Sequence, residues 1–575
     1  MDATRFRQQP APMGYTMEEI PRFVTYTSPV MTNGYGGCMP LPLNLIALIV
    51  SYLDDIGDIA RVTRTSRLLY YMTLPQLYQR VALHSYSEIK YVDGRPEGFG
   101  SGSPFMLALN GLVTKNHATV VQDFRLWGDW QEVGVEDFAR GRVPDNSMML
   151  NILLRACVDK MVKLQSFAWE LDCKPLKTLY QGLAARNTLT SLTIKFPSSR
   201  LPRPSVVIPP MPELRKFRAT DIDPLCYPDD ISMLFLGSKK LEDVRLHFSP
   251  RMRKQAEPTL NFETYWGRCH KANYLPKWKH IAMQNWFGPN GSDAGGFAAT
   301  FDTDSCSSMH FLDCFGGVQG GSANVYVDDS WKAIPQGMEK WTPHFRTIRF
   351  NEFAPQHVQL MRMSKGAEYI YVVNDRPGKT SLSAATTPSS NGNLITPDLS
   401  PGTAAANADV ISAIGHDYIH AFTRHHGATL KHLLLSHQWS LTTDEISDIV
   451  RYCPNLEQLG LALGPSNILT LRLLLPFLKK LHSVRVLDND FLRENERGLT
   501  SEMRMNIFRR DLAKVGAEGL QWIGVGDYVY KVGMEYMHLN DDGSMEQMRE
   551  IEERSFEDVK HIAIWGLDVL DIMVG

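Results

Sequence analysis

The sequence lacks any apolar run long enough to cross a membrane, and it lacks a dominant charge of one sign. No uninterrupted stretch of about 18 apolar residues occurs in the 575 residues, so no transmembrane helix is expected. The formal net charge is −3, without a basic block, which argues against nucleic acid as the main ligand. The N-terminus has no apolar signal core, so secretion is not expected either.

Closely spaced cysteine pairs are also missing. The 8 cysteines are scattered and form no CxxC motif. Together with the missing signal core, this predicts reduced thiols in the cytoplasm or nucleus. Cys306, His310 and Cys314 lack a fourth ligand at a familiar spacing. The sequence therefore predicts no metal site.

Motifs of catalysis and cofactor binding are absent from the chain. It contains no G-x-S-x-G elbow, no H-E-x-x-H pair and no G-x-G-x-x-G loop. Gly378-Lys379-Thr380 follows a predicted apolar strand, Tyr369–Val373, but Val373 occupies the position where a P-loop needs glycine. We expect no catalytic residues and no cofactor.

A short helical region near the N-terminus is the most specific feature that the sequence does contain. Pro42 suits a first helical position, because its missing N–H would have no helical partner there. Leu45, Ile49, Tyr52 and Leu53 then recur at helical spacing and make one apolar stripe. A second helix is predicted to start at Asp58, acting as the N-cap. Helices this short bury little apolar surface by themselves.

The same region resembles an F-box. The family pattern Leu-Pro-x-Glu-Leu, followed by Ile-Leu and Leu, is matched position by position over residues 40–84. The matching residues are Leu41, Pro42, Asn44, Leu45, Ile49, Val50 and Leu53. Asn44 stands where the family has glutamate, and Thr65 and Leu69 stand where it has valine and tryptophan.

The resemblance implies a docking module for the Skp-type adaptor of cullin–RING ubiquitin ligases. The residues that it assigns to adaptor binding are Leu41, Pro42, Leu45, Ile49, Leu53, Ile59, Val62 and Leu69. The alternative is a purely structural role, in which these helices cap a larger domain.

Beyond residue 120 a second pattern recurs, in which apolar residues stand at the first, fourth and sixth positions of short segments. Such a pattern occurs often by chance, so it is weak evidence by itself. Here, however, polar residues fill the positions between the apolar ones, as a strand with one buried face requires. The first apolar residues are at 121, 164, 189, 214, 241, 278, 345, 430, 456, 481, 520 and 559. Many of these starts are about 25 residues apart, and repeats of 20–29 residues are typical of leucine-rich repeats.

Helical segments alternate with these strands. Thr442 and Glu445 form a capping box that opens a helix burying Ile446, Ile449 and Val450. The unit of helix, turn and short strand resembles the degenerate leucine-rich repeats of F-box proteins. The resemblance implies stacked parallel strands that line the concave wall of an α/β solenoid. The predicted fold class is thus α/β: a helical F-box followed by an irregular, leucine-rich-repeat-like solenoid with insertions.

The domain organisation follows from these two patterns. The predicted parts are a disordered segment 1–38, an F-box-like domain 39–85, a first repeat region 105–378 with a Gly-rich insertion at 285–335, a disordered linker 379–408 and a second repeat region 409–575.

Three functions remain open at this point. The order of the two patterns favours a substrate receptor of a ubiquitin ligase, with the adaptor on the F-box and a target protein on the solenoid. The residues predicted to contact the target are Arg215, Arg218, Asp243, Arg245, Lys431 and Glu457. Candidate aromatic anchors are Trp127, Trp130, Trp439 and Trp565. The alternatives are an interaction scaffold without a ligase role and an enzyme with its site in the Gly-rich insertion.

Overall fold

The computed structural model describes residues 42–574 except 198–205, 251–264, 289–300, 317–323, 326–343, 352–357, 374–400, 465–471, 493–498 and several shorter gaps. The predicted segment 1–38, Leu41, much of the Gly-rich insertion and most of the linker 379–408 lie outside the described residues. The chain divides into two compact units, one ending at Thr73 and one beginning at Leu74.

The first unit is helical. Its helices are α1 (Leu43–Ser51), α2 (Ile56–Val62) and most of α3 (Arg67–Tyr78). The amides of Leu45 and Ile46 donate to the carbonyl of Pro42, which opens α1. The predicted start of α2 was wrong: Asp55 is the N-cap and accepts from the Asp58 amide at 2.8 Å. Asp58 lies one turn further in and pairs with Arg61.

The second unit combines helices with a 17-stranded, mostly parallel sheet. Its strands and those of two smaller sheets are β1 (Arg80–Ser85), β2 (Lys90–Val92), β3 (Arg95–Glu97), β4 (Asp123–Gly128), β5 (Ser166–Leu171), β6 (Ser191–Lys195), β7 (Lys216–Ile222), β8 (Asp243–Phe248), β9 (His280–Gln284), β10 (Phe287–Gly288), β11 (Ser308–Leu312), β12 (Phe315–Gly316), β13 (Asn324–Val325), β14 (Thr347–Phe350), β15 (Tyr369–Val372), β16 (His432–Leu434), β17 (Ser440–Leu441), β18 (Gln458–Leu463), β19 (Ser483–Val486), β20 (Trp522–Val525), β21 (Tyr528–Leu539) and β22 (Met545–Arg554).

The helices of this unit precede or follow the strands in turn. They are α4 (Pro104–Thr114), α5 (Asp145–Lys160), α6 (Lys177–Ala184), α7 (Ser232–Gly237), α8 (Gly267–Lys271), α9 (Pro401–His425), α10 (Thr443–Tyr452), α11 (Ser501–Val515), α12 (Phe556–Val559) and α13 (Ala563–Gly566). Short 3-10 turns lie at Asn116–Val120, Val135–Arg140, Thr303–Ser305 and Leu475–Phe477. None of the helices within the described residues is both long and apolar enough to span a membrane.

The strands pair in chain order with few exceptions. Parallel pairs lead from β1 through β4 to β9, then through β11, β14, β15, β16, β18 and β19 to β20. The hairpin of β21 and β22 continues the sheet with antiparallel pairs. The fold class is therefore mixed α/β, as predicted.

A main-chain motif fixes the register between successive parallel strands. Two consecutive amides at the start of each strand donate to one carbonyl at the start of the strand before it. Gln165 and Ser166 donate to Gln122, and Lys431 and His432 donate to Glu368 in the same way. Because only main-chain atoms take part, the motif does not depend on the side chain at the position.

One face of the sheet packs against the helices. Strand residues such as Phe124 and Leu246 form a continuous apolar core with helix residues such as Leu154. The predicted capping box is confirmed, since Thr442 Oγ1 accepts from the Glu445 amide and Glu445 Oε2 accepts from the Thr442 amide. The helix that it opens buries Ile446 and Ile449.

Four predictions about element positions were wrong. Residues 80–85 were assigned to the F-box-like domain but form β1, paired with β4. The Gly-rich insertion 285–335 was expected to interrupt the array, yet it contains β11 of the main sheet. The linker was predicted to extend to 408, whereas α9 begins at Pro401. The segment at 559–564 forms α12 and α13 rather than a strand.

We expect two histidines, buried His426 and half-buried His432, to make this fold sensitive to mild acid. Burial lowers the pKa of His426 to about 4, and burial together with His482 and Lys431 lowers that of His432 to about 4. Neutral His426 accepts from the Ala367 amide at Nδ1 and contacts the Met361 carbonyl through Nε2, so its protonation would break a satisfied pair. Between pH 6.5 and 4 only the unfolded chain binds these protons, so the free energy of unfolding decreases as the pH falls through that window.

The measurement is urea unfolding at pH 7 and pH 5. Each histidine contributes about 2 kcal/mol to the difference. His426→Gln should reduce the pH dependence of the midpoint. The exposed His420 supplies the control, His420→Gln, which should leave that dependence unchanged. An unchanged dependence in His426→Gln would contradict the assignment.

Candidate interaction surfaces

A row of arginines follows the middle of the sheet on the side that does not face the core helices. The row occupies the central polar position of five strands, in register with one another through the strand pairing. Its members are Arg125, Arg218, Arg245, Arg349 and Arg485. We call this side of the sheet the arginine face.

The C-terminal segment, residues 556–574, crosses the arginine face and is held there by side chains of the sheet. Arg485 donates to the carbonyl of Ile564 at 2.8 Å and to Asp568 Oδ2 at 2.9 Å. Arg349 donates to the carbonyls of Val569, Asp571 (3.1 Å) and Val574 (3.4 Å).

The contact continues towards the earlier strands. Arg245 donates to the carbonyls of Ile572 and Met573 at 3.0 and 3.3 Å, and Arg218 donates to Met573 at 3.4 Å. Gln284 donates to the Leu570 carbonyl at 2.8 Å and accepts from the Ile572 amide at 3.3 Å. Most of these acceptors are main-chain carbonyls rather than carboxylates.

An apolar cluster lies between the C-terminal segment and the sheet. Ile564 and Trp565 are buried there against sheet residues. The sheet contributes Ala282, Leu312, Tyr371, Val373, Leu434, Ala462, Leu487 and Val529 to this cluster. Trp565 also lies under Arg485, whose Cζ is 5.7 Å from the ring centroid. This part of the arginine face is thus a second core.

Three of the residues predicted to contact a target are engaged beneath or beside this segment. Arg245 is buried, is paired with Asp243 at 3.1 Å and donates to the segment. Burial, reinforced by the charge of Arg245, lowers the pKa of half-buried Arg218. These residues hold the chain's own C-terminal segment, which corrects the prediction that they line an open wall.

The other three predicted residues lie just before the strands, in a row of charges at the N-terminal ends of the parallel strands. Lys431 Nζ contacts Glu368 Oε2 at 2.7 Å, and Glu457 lies 3.8 Å from His432 Nε2. Arg215 is exposed at the corresponding position before β7. The row is solvated and alternates in sign, so its ion pairs contribute little to stability.

Away from the C-terminal segment, the arginine face is accessible around β1, β4 and β5. The rings of His84 and Trp127 stack with centroids 3.7 Å apart and planes 4° from parallel. Arg125 lies 5.5 Å from the Trp127 centroid and pairs with Glu170 at 2.5 Å. Trp127 is 38% exposed. The four side chains form an open aromatic and charged surface.

Charged groups border this open surface on β6. Lys195 Nζ contacts Asp172 Oδ1 at 2.6 Å. Burial opposes the charged form of Lys195, but the hydrogen bond and charge of Asp172, with Asp221 and Asp129, raise its pKa overall. Of the predicted aromatic anchors only Trp127 is exposed: Trp439 and Trp565 are buried, and half-buried Trp130 packs near Phe105.

A separate apolar surface lies on the first unit. Leu45, Leu48, Ile49 and Tyr52 recur at helical spacing and are exposed, as is Ile56 at the start of α2. Ile49 is 58% exposed. We call these five side chains the apolar helix surface.

The predicted adaptor-binding residues are only partly on this surface. Leu45 and Ile49 belong to it, and Pro42 is exposed beside it. Leu53, Val62 and Leu69 are half-buried. Ile59 is 2% exposed and packs inside, so its assignment as a contact residue is corrected. Sequence reasoning missed Leu48 and Ile56 as exposed members, and it placed Tyr52 on the apolar stripe without assigning it to adaptor binding.

Comparison with protein-family models and with curated proteins finds no match for this chain. Among the described residues, no group of three or more His, Cys, Asp or Glu side chains is placed to hold a metal ion.

We expect Gly128 to be required for the stacked pair of His84 and Trp127. Its φ is +103°, and a Cβ there would lie 2.2 Å from the Ser85 carbonyl oxygen and 2.4 Å from His84 Cδ2. Gly128→Ala should therefore lower the free energy of unfolding by about 1–3 kcal/mol. Urea unfolding measures the change. The control is Gly111→Ala in α4, where a Cβ has open space and stability should rise or stay equal. Equal effects of the two variants would contradict this expectation.

Proposed function

We propose that this chain is the substrate-recognition subunit of an SCF-type cullin–RING ubiquitin ligase. The observation that carries the proposal is the apolar helix surface, which lies within the segment that resembles an F-box. Exposed apolar surface of this kind marks a site of protein–protein interaction. F-boxes bind the Skp-type adaptor, and Leu45 and Ile49 occupy their matching positions.

The second unit would bind the target protein. Its strands repeat in a common register. Leucine-rich repeats carry Asn or Cys in the turn after the strand; most turns of this sheet lack it, but Asn489 follows β19, and its Nδ2 donates to the Leu463 carbonyl at 3.1 Å. The accessible surface around Trp127 and Arg125 combines an aromatic ring with charged groups, a composition enriched at binding sites.

The chain itself would carry no catalysis. A bound target would be held near a ubiquitin-charged partner, and the raised effective concentration would accelerate transfer. The proposed location is the cytoplasm or nucleus.

The test is co-purification of a Skp-type adaptor with the full chain and with the double variant Leu45→Asp/Ile49→Asp. Burying two unpaired carboxylates in an apolar interface should weaken binding by at least about 100-fold. The charge-matched control is Asn44→Asp/Ser51→Asp, which changes two exposed polar positions of the same helix and should retain binding.

Two outcomes would overturn the proposal. If the unmodified chain does not bind the adaptor, the helical unit is not an F-box, and the chain is an interaction scaffold without a ligase role. If both double variants bind equally well, the adaptor uses another surface.

A further inference from the structure

The C-terminal segment has two parts that are held in different ways. Residues 556–568, here the anchor, contain two helical turns and bury Val559, Ile562, Ile564 and Trp565. Residues 569–574, here the strap, form neither helix nor strand, and Ile572 is their only buried side chain. The strap therefore has much less apolar contact to lose than the anchor.

The strap is held mainly through its main chain. Arg218, Arg245, Arg349 and Gln284 donate to its carbonyls, and Gln284 also accepts from one amide. Main-chain contacts of this kind give affinity for an extended segment whatever its side chains, as in other peptide-binding sites. The same donors could therefore hold a segment of a different sequence.

The charges beneath the strap are better suited to an acidic segment than to the strap itself. Arg349 is fully buried, and burial lowers its pKa to about 10. Its guanidinium donates to neutral carbonyls, and its Nε has no partner among the described residues. Asp571 is close by, but its Oδ1 accepts from the Met573 amide within the strap, at 2.8 Å. A carboxylate facing Arg349 would form the stronger, charge-assisted bond.

We propose that the strap occupies, in cis, a peptide-binding site formed by Arg218, Arg245, Gln284 and Arg349, and that the site accepts an extended acidic segment of a partner protein when the strap is released. The anchor stays in place and keeps the apolar cluster covered. This inference rests on the proposed target-binding role of the sheet and identifies the chemistry of the segment bound.

Because the strap is tethered beside the site, the site has a low apparent affinity for an added peptide. The strap competes at the high effective concentration that a short tether provides. The apparent affinity for a free peptide is reduced by the fraction of molecules in which the strap is released. Weakening the strap should thus strengthen binding in trans.

The experiment measures binding of a fluorescent acidic peptide, Glu-Leu-Asp-Ile-Met-Val, to the full chain. It is the sequence of the strap, residues 569–574, with glutamate in place of Val569, whose carbonyl accepts from Arg349, so that a carboxylate is available beside that guanidinium. Ile572→Lys places a charge in an apolar site beside the arginines and should release the strap, so the peptide should bind at least tenfold more tightly than to the unmodified chain. Val574→Lys adds the same charge at a side chain that is 39% exposed, and it should bind as the unmodified chain does.

The site is then tested in the Ile572→Lys background. Arg349→Gln should remove the gain in affinity, and a neutral peptide, Gln-Leu-Asn-Ile-Met-Val, should bind at least tenfold more weakly than the acidic one. If urea unfolding shows that Arg349→Gln does not fold, the half-buried Arg218→Gln replaces it.

Three results would overturn the proposal: no gain in Ile572→Lys, a gain that the arginine variant retains, or equal binding of the neutral peptide. None of these measurements involves the adaptor, so they are independent of whether the chain docks to a ligase.

Discussion

A buried parallel β-sheet needs cover on both faces, and this requirement governs the strands of the second unit from β7 onward. Helices such as α5 and α10 cover one face, as expected when each helix lies between two strands. The other face is covered over many strands by a segment from the far end of the chain, so that Arg218 contacts Met573. The sheet is complete only when the C-terminal residues are in place, and the arginines are the groups that hold them.

The main-chain motif at the strand starts explains how the sheet tolerates long insertions. Tyr369 of β15 pairs with His432 of β16, although residues 373–431 lie between the two strands in the chain. The entropic cost of closing a loop rises only slowly with its length, whereas the two amides that share one carbonyl recur at each junction. Loop length and register are thus largely independent, and the period of the sequence can vary while the sheet remains regular.

The apolar pattern predicted most of the parallel strands, because the positions facing the helices must be apolar. It missed β11, whose segment begins with Cys306 rather than a large apolar residue. β15 was not among the periodic segments either, but the apolar strand predicted at residues 369–373 is confirmed by it. The pattern wrongly added the segment at 559, because buried short helices contain similarly spaced apolar residues. The arginine row was visible as a recurring arginine at the central polar position. That these arginines hold the C-terminal segment could not be predicted, because polar strand positions were assumed to face solvent.

Two kinds of contact hold the C-terminal segment on the arginine face, and only one of them depends on the side chains of that segment. Apolar contacts at Trp565 depend on shape and fix the anchor, whereas bonds to carbonyls can be made by any extended chain. A buried guanidinium that meets only carbonyls is also less well compensated than one that meets a carboxylate, as the pair of Arg485 and Asp568 illustrates. Arg485 has that partner under the anchor, while Arg349 lacks such a bond under the strap. Arg349, the least compensated charge, therefore lies beneath the strap, the least apolar part of the C-terminal segment. Replacing the strap with an acidic segment of a partner would thus cost the sheet the least stability.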